Sequence, residues 1–131
     1  MSRPRICLLF CGGTIGMVKD SSSGVLRPAL DVSDILMRIP DLQQHVSLDF
    51  VPVMNIDSSN MIPSDWTVLS DHIYKRYDQY DGFVVAQGTD TMAYSASALS
   101  YVFQGLQKPI VFTGSLQPMA ELGGDARNNL I

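Results

Sequence analysis

Four short strand-like runs, separated by segments with helical spacing, constrain the fold of this chain more than any other feature. Residues 6–10 form a continuous apolar run, and further strand-like runs lie within residues 45–54, 81–87 and 108–118. Unbroken apolar runs of this length are typical of parallel strands that are buried on both faces. The alternation therefore predicts an α/β fold, an open parallel sheet of the flavodoxin or Rossmann type with helices on both faces.

The segments between the predicted strands carry helical spacing or turn residues. Residues 17–30 are polar and contain Gly, Ser and Pro, so we predict a long loop there. Pro52 indicates that the second predicted strand is an edge strand or ends at this residue. Helices are predicted within residues 31–40, 64–80 and 91–106, and the first turns of another within 124–131.

Two of the predicted helices have an apolar face. Ser64 is a candidate N-cap for the first, and Gly105 is a candidate stop for the second. The predicted core-facing residues are Trp66, Leu69, Ile73, Tyr74 and Tyr77 in the first helix, and Met92, Ala96, Leu99 and Phe103 in the second.

Size, charge and cysteine content restrict the class of protein. The 131 residues suffice for one domain with a single core. The net charge of −4 argues against a nucleic-acid partner, and no apolar run approaches the roughly 18 residues of a membrane helix. The short apolar run near the N-terminus is followed by no small-residue cleavage site, so we expect no secretory signal. Cys7 and Cys11 lie on one face of the first predicted strand, too far apart to bridge, so we expect free thiols in the core and a cytoplasmic location.

The loops that follow the predicted strands are the expected place for a ligand. In an open parallel sheet, ligands bind beyond the carboxyl ends of the strands. The four loops read GGTIG, NIDSSNM, QGTDTM and TGSLQP, and each contains hydroxyl side chains. Asp57 and Asp90 lie among these hydroxyls. Such an edge suits recognition of a small polar molecule.

The GGTIG loop is compatible with three roles. It resembles a phosphate-binding loop, or a glycine-rich turn in which Thr14 caps the next segment. The dinucleotide fingerprint would need a glycine where Cys11 stands, and no Gly-Lys-Ser/Thr ending of a Walker loop follows. The third role is that Thr14 acts as a nucleophile.

A threonine nucleophile needs a group that removes its proton. Histidine is the usual base, but His45 and His72 fall outside the loops that follow the strands, so a Ser-His-Asp arrangement is not supported. Thr89 and Asp90 supply half of a Thr-Asp-Lys relay, and they are equally compatible with the N-cap of the next helix. The three lysines of the chain are poorly placed to complete the relay: Lys19, Lys75 and Lys108.

Taken together, the motifs GGTIGM, IDSSNM, GTDTMAYSASALS and KPIVFTGSLQP resemble the bacterial-type L-asparaginase family, most closely its cytoplasmic type I branch. They occur in the family's order and spacing and cover most of the chain. The resemblance implies hydrolysis of L-asparagine to L-aspartate and ammonia, without metal or cofactor, by a homodimer or homotetramer. It implies that Thr14 is the nucleophile that forms an acyl-enzyme, and that Thr89 and Asp90 belong to a Thr-Lys-Asp relay.

The resemblance also implies contacts with the substrate. Ser58 and Ser59 fall where the family binds the α-carboxylate, and Asp90 helps to hold the α-amino group. Gly88 and Thr89 help to position the water or the oxyanion.

Some positions depart from the family's pattern. Cys11 stands where the family often has Thr, and Gln87 where it often has His; we expect both to lie away from the substrate. Residues 20–28 contain no tyrosine, although many members place one beside the nucleophile. The relay lysine and a C-terminal domain would lie beyond Ile131. We therefore expect residues 1–131 to be the N-terminal domain of a two-domain protein, inactive by itself.

Two alternatives remain from the sequence. The first is the glutamine amidohydrolase subunit of tRNA-dependent amidation, whose members carry an additional domain ahead of the first strand; only five residues precede Ile6 here. The second is a non-catalytic, flavodoxin-like module that binds an amino acid or a nucleotide.

Overall fold

The fold is an α/β arrangement with one main sheet. The computed structural model describes residues 2–20, 22–28, 39–119 and 121–131. The helix predicted within residues 31–40 therefore lies mostly outside the described residues. The strands are β1 (Arg5–Phe10), β2 (Met17–Lys19), β3 (Leu26–Pro28), β4 (Ser47–Pro52), β5 (Gly82–Ala86) and β6 (Ile110–Thr113). The helices are α1 (Leu42–His45), α2 (Pro63–Tyr74), α3 (Met92–Val102) and α4 (Ala126–Leu130).

The main sheet is parallel throughout and has the strand order β4-β1-β5-β6. The register brings the carboxyl ends of the strands to one edge: Phe10 pairs with Pro52 on one side and with Ala86 on the other. Pro52 is the last residue of β4, which is one of the two outer strands of this sheet, as predicted. The missing N–H of a proline is tolerated at such a position because no ladder hydrogen bond is lost.

Helices pack on both faces of this sheet, which confirms the predicted fold class. On one face, Leu69 and Ile73 of α2 and Leu99 of α3 pack against Cys7, Leu9, Phe83 and Val85 of the strands. On the other face, Ala126 and Leu130 of α4 pack with Leu8, Phe10 and Ala86. Burial of each large aliphatic side chain stabilises the fold by roughly 1.5–3 kcal/mol. Both faces of β1 are therefore covered, which is why its residues 6–10 are uniformly apolar.

The helix boundaries correct two predictions. Helix α2 begins at Pro63, so Ser64 lies inside the helix; the capping contact is made by the Asp65 carboxylate, which accepts from the N–H of Ile62 at 2.8 Å. Tyr74 is 76% exposed rather than core-facing, because the adjacent Ile73 occupies the buried face of the same turn and neighbouring helix positions lie about 100° apart. Helix α3 ends at Val102, and Gly105 takes a left-handed conformation (φ 72°) in the turn that follows.

The segment predicted as a long loop contains a hairpin. Strands β2 and β3 pair antiparallel, with Met17 opposite Pro28 and Lys19 opposite Leu26. The polar residues form its turn: Asp20 Oδ1 accepts from the N–H groups of Ser22 and Ser23 at 2.9 and 3.0 Å. The prediction was wrong because three-residue strands are too short to show an alternating pattern.

The start of the second predicted strand is also corrected. His45 ends helix α1 and does not begin a strand, because the N–H of Val46 bonds back to the carbonyl of Leu42 at 3.1 Å. Strand β4 starts at Ser47, whose N–H donates to the carbonyl of Pro4 at 2.9 Å.

Candidate functional site

The candidate site lies at the carboxyl ends of β1 and β5, at the place where the strand order reverses. From β1 the chain leads on to β4 on one side, whereas from β5 it leads to β6 on the other side. The loops after β1 and β5 therefore diverge and leave a crevice between them, which is the usual ligand position in sheets of this type.

An open cavity of about 340 Å³ occupies this crevice. Five of the six predicted site residues line it: Thr14 from the loop after β1, Ser58 from the loop after β4, and Gly88, Thr89 and Asp90 from the loop after β5. Thr14 and Thr89 are half-buried, and Asp90 is exposed. The other lining residues are Gly13, Met17, Asn55, Ile56 and Asp57.

The two glycines after β1 allow three loops to approach each other at this edge. Both have positive φ, 112° at Gly12 and 88° at Gly13. A Cβ on Gly12 would lie 2.4 Å from the carbonyl oxygen of Ile56, and a Cβ on Gly13 would lie 2.4 Å from the amide nitrogen of Gly88. The β1 loop is thus wedged between the loops after β4 and β5, and this close packing brings Thr14 to the cavity wall.

The close packing of Gly13 against Gly88 predicts that a side chain at position 13 destabilises the fold. We expect Gly13→Ala to lower the free energy of unfolding by about 3 kcal/mol or more, because a positive-φ penalty adds to a backbone clash. Gly105→Ala is the matched control: it has the same sign of φ (+72°), but nothing lies within 4 Å of its Cβ. We expect the control to cost about 1–2 kcal/mol. Urea denaturation measures the free energy of unfolding of both variants. An equal loss of stability in the two would contradict the close packing proposed for Gly13.

A single 3-10 turn, Ser58–Asn60, forms the cavity wall opposite the β1 loop. Asp57 caps it: Asp57 Oδ1 accepts from the N–H of Ser59 at 2.9 Å and from its Oγ at 2.7 Å. The Ser59 hydroxyl and N–H lower the pKa of Asp57, so this carboxylate remains charged. Ser59 itself is exposed and does not line the cavity, whereas Ser58 is buried.

The charge of the cavity wall indicates what it can bind. Asp57 and Asp90 line it, and no Lys, Arg or His is among its described lining residues. A site with two carboxylates and no basic side chain favours an ammonium group and disfavours a phosphate. Hydroxyls such as that of Thr14 can still donate to a neutral or anionic oxygen.

The candidate bases considered from the sequence lie elsewhere. His45 and His72 do not line the cavity, and burial together with the neighbouring Arg76 lowers the pKa of His72. The three lysines all lie in the described ranges and also lie outside the lining: Lys19 pairs with Glu121, Lys75 is exposed at the end of α2, and Lys108 donates to the carbonyl of Tyr77.

The two cysteines and Gln87 are buried in the core. Burial raises the pKa of Cys7 to about 11 and that of Cys11 to about 12, so both remain protonated thiols, and both are free. Cys11 and Gln87 do not line the cavity. Within the described ranges, no three His, Cys, Asp or Glu side chains form a group that could hold a metal ion.

Sequence reasoning assigned no role to three of the polar or flexible lining residues: Asn55, Asp57 and Met17. Asn55 and Asp57 belong to the NIDSSNM loop, so their position after a strand was the available signal. Met17 begins β2 in the hairpin that was not predicted, and no sequence signal pointed to it.

Comparisons with known proteins identify the group of proteins that this chain resembles. The family model described as "Asparaginase, N-terminal" matches residues 5–131. L-asparaginase 1 of Escherichia coli strain K12 is 41% identical over 136 residues, an alignment that covers 100% of this chain and 39% of that protein. A glutamyl-tRNA(Gln) amidotransferase subunit of Aeropyrum pernix is 40% identical over 128 residues, with 96% of this chain and 30% of that protein covered.

A solved structure that is similar to this chain is also an L-asparaginase. L-asparaginase I from Vibrio cholerae superposes with a TM-score of 0.86 at 40% identity, covering 98% of this chain and 39% of that one. The chain thus spans well under half the length of the curated relatives it matches.

Proposed function

The chain belongs to the asparaginase family, and we propose that the protein hydrolyses L-asparagine to L-aspartate and ammonia with Thr14 as nucleophile. The observation that carries this proposal is that Thr14 and Thr89, from the loops of two neighbouring strands, line one cavity of about 340 Å³. This volume lies at the small end of the range for ligand pockets, which suits an amino-acid-sized substrate.

The lining supplies a partner for each group of an α-amino-acid amide. Asp90 pairs with the α-ammonium, the Ser58–Asn60 turn takes the α-carboxylate, and Thr14 faces the side-chain carboxamide. The negative lining of the cavity supports this orientation, because the ammonium is the one full positive charge of the substrate. The contact of Ser59 with the α-carboxylate stays a prediction from the sequence, since its N–H and its hydroxyl both donate to Asp57.

The proposed reaction proceeds in two halves. Thr14 Oγ1 attacks the carboxamide carbon and loses its proton; the carbon–nitrogen bond breaks, and ammonia leaves with the proton it needs. The product is an aspartyl ester of Thr14. Water, positioned by Gly88 and Thr89, then attacks the ester, and L-aspartate leaves as the Thr14 hydroxyl is restored. Thr89 and Asp90 carry protons in this scheme together with a lysine.

That lysine is the reason to propose a longer enzyme. None of the three lysines, all of which lie in the described part of the chain, lines the cavity. We propose that residues 1–131 form the N-terminal domain and that the remainder of the protein supplies the relay lysine. The family model's own description and the 39% coverage of the Escherichia coli relative support this division.

Ammonia release from L-asparagine by the complete protein tests the proposed function. We expect turnover without added metal, nucleotide or tRNA, and L-aspartate as the second product. Residues 1–131 expressed alone should show less than about a thousandth of that rate, because the relay is incomplete. A complete protein that binds asparagine but releases no ammonia would favour a non-catalytic module instead.

The similarity to an amidotransferase provides a second candidate. The Aeropyrum pernix relative at 40% identity is one subunit of a glutamyl-tRNA(Gln) amidotransferase, so a glutamine-hydrolysing partner in tRNA amidation is a specific alternative. The same assay separates the two candidates. Hydrolysis of free asparagine by the protein alone supports an asparaginase, whereas ammonia release from glutamine only with tRNA and a second protein supports the alternative.

The assembly and the cellular location of the protein are also proposals. The homodimer or homotetramer rests on the family resemblance and is measurable by sedimentation. The cytoplasmic location rests on the free cysteines. The longest helix in the described ranges has 12 residues, and this part of the chain contains no candidate membrane span.

A further inference from the structure

Thr91 occupies the N-cap of α3 but does not cap the helix with its side chain. Threonine at this position ordinarily accepts a hydrogen bond from an N–H of the first turn. Here the first turn of α3, all of which the structure describes, gives the Thr91 side chain no such bond. Its Oγ1 instead donates to the carbonyl oxygen of Ser58 at 2.8 Å, across 33 residues of sequence. The hydroxyl therefore ties α3 to the loop after β4.

This bond lies beside a close contact between two walls of the cavity, since Thr91 directly follows the lining residues Thr89 and Asp90. Ser58 is 2% exposed, and a Cβ on Gly88 would lie 2.6 Å from its Oγ. The Thr91 bond thus holds the Ser58–Asn60 turn against the loop that carries Thr89 and Asp90.

A second contact from α3 holds the far end of the same turn. Ser95, one helical turn after Thr91, donates from its Oγ to Met61 Sδ at 3.1 Å and accepts from Trp66 Nε1 at 3.0 Å. Met61 directly follows the turn, and its N–H donates to the carbonyl of Ser58 at 3.1 Å. Loss of the Thr91 hydroxyl would therefore remove the direct bond between the Ser58 carbonyl and the start of α3, whereas the contact of Ser95 with Met61 would remain.

We propose that Thr91 is a positioning residue for the substrate's α-carboxylate. It fixes the distance between the turn that takes the carboxylate and the loop that carries Thr89 and Asp90. This inference rests on the proposed function, since it assigns the carboxylate to the Ser58–Asn60 turn. A shift of the turn by about 1 Å is enough to weaken binding strongly, because recognition depends on geometry at this scale.

The test compares Thr91→Val with Thr91→Ser in the complete protein. We expect Thr91→Val to raise KM for L-asparagine about tenfold or more, with kcat changed less than about threefold, and Thr91→Ser to restore most of the lost affinity. The substrate 3-aminopropanamide, which lacks the α-carboxylate, should have the same kcat/KM in the wild type and in Thr91→Val. If Thr91→Val does not fold, Thr91→Ala removes the same hydroxyl.

Thr113→Val is the matched control. Thr113 is 8% exposed and donates from Oγ1 to the carbonyl of Asn129 at 3.0 Å, the same type of long-range bond away from the cavity. Both valine variants should lower Tm by a similar few degrees, but only Thr91→Val should change KM. An unchanged KM in Thr91→Val, or an equal rise in Thr113→Val, would overturn the inference.

Hydrogen exchange separates this inference from the proposed function. The N–H of Asn60 donates to the backbone carbonyl of Asp57 at 2.9 Å, and the N–H of Met61 donates to the backbone carbonyl of Ser58 at 3.1 Å. Exchange of these two amides therefore reports on the turn. We expect faster exchange of both amides in Thr91→Val and not in Thr113→Val. An inactive wild type would reject the proposed function alone, whereas unchanged exchange in Thr91→Val would reject the anchoring role of Thr91.

Discussion

Replacement of Thr14 by alanine in the complete protein is expected to lower kcat for L-asparagine by roughly 10³-fold or more, because no other group forms the acyl-enzyme. The fold should be retained, since Thr14 is half-buried and lines an open cavity. KM should change much less than kcat, because the proposed contacts with the α-ammonium and α-carboxylate involve other residues. Steady-state ammonia release measures both constants.

A control and a second readout make the Thr14 result specific. Thr67→Ala removes a threonine from the exposed surface of α2 and should leave both constants unchanged. Rapid acid quenching followed by mass spectrometry should detect an aspartyl adduct on the peptide that contains Thr14 in the wild type. Near-normal turnover of Thr14→Ala, or an adduct on another residue, would remove Thr14 as the nucleophile.

Thr89→Val is expected to produce the second largest loss, again roughly 10³-fold in kcat. Valine keeps the shape of threonine and removes only the hydroxyl. The methyl group of Thr89 packs near Gly114: a Cβ added to that glycine would lie 3.1 Å from Thr89 Cγ2. Thr89 Cγ2 thus lies close to Gly114, at a position where the absence of a side chain on the glycine leaves room for it.

Thr89→Ser separates the role of the hydroxyl from that of the methyl group. Serine keeps the oxygen but loses the contact near Gly114, so we expect an intermediate kcat, with more activity than Thr89→Val. Comparable kcat values for Thr89→Val and Thr89→Ser would mean that the hydroxyl contributes no more to kcat than the methyl group does. Thr89→Val with more than about a tenth of wild-type kcat would exclude a proton-carrying role for this residue.

Long apolar segments made the sheet predictable. Burial on both faces requires uninterrupted apolar residues at positions 6–10 of β1, and the helical periodicity of α2 and α3 follows from their contact with one sheet face. Short elements carried too little pattern: neither the three-residue strands β2 and β3 nor the four-residue helix α1 was predicted. Tyr74 was wrongly placed in the core because the adjacent Ile73 takes the buried face of the same helical turn.

The site residues, too, were only partly predictable from local sequence pattern. The position of Thr14, Ser58, Thr89 and Asp90 after parallel strands indicated that they would share one edge, and all four line the cavity. Ser59 was predicted with Ser58 but does not line the cavity, since the turn directs its hydroxyl to Asp57. Adjacent residues of a tight turn face different directions, and local pattern does not say which one faces inward.

The amino-acid order alone determined the number of main-sheet strands, the edge at which ligands bind and the chemical groups present there. These depend on local periodicity and on the rule that parallel strands end together. Only the folded chain decided how closely those groups meet, through the contact of Gly13 with Gly88 and the bond from Thr91 to Ser58. The physical reason is that steric contact and hydrogen bonding act over a few ångströms in space, between residues that are 33 or more positions apart in sequence.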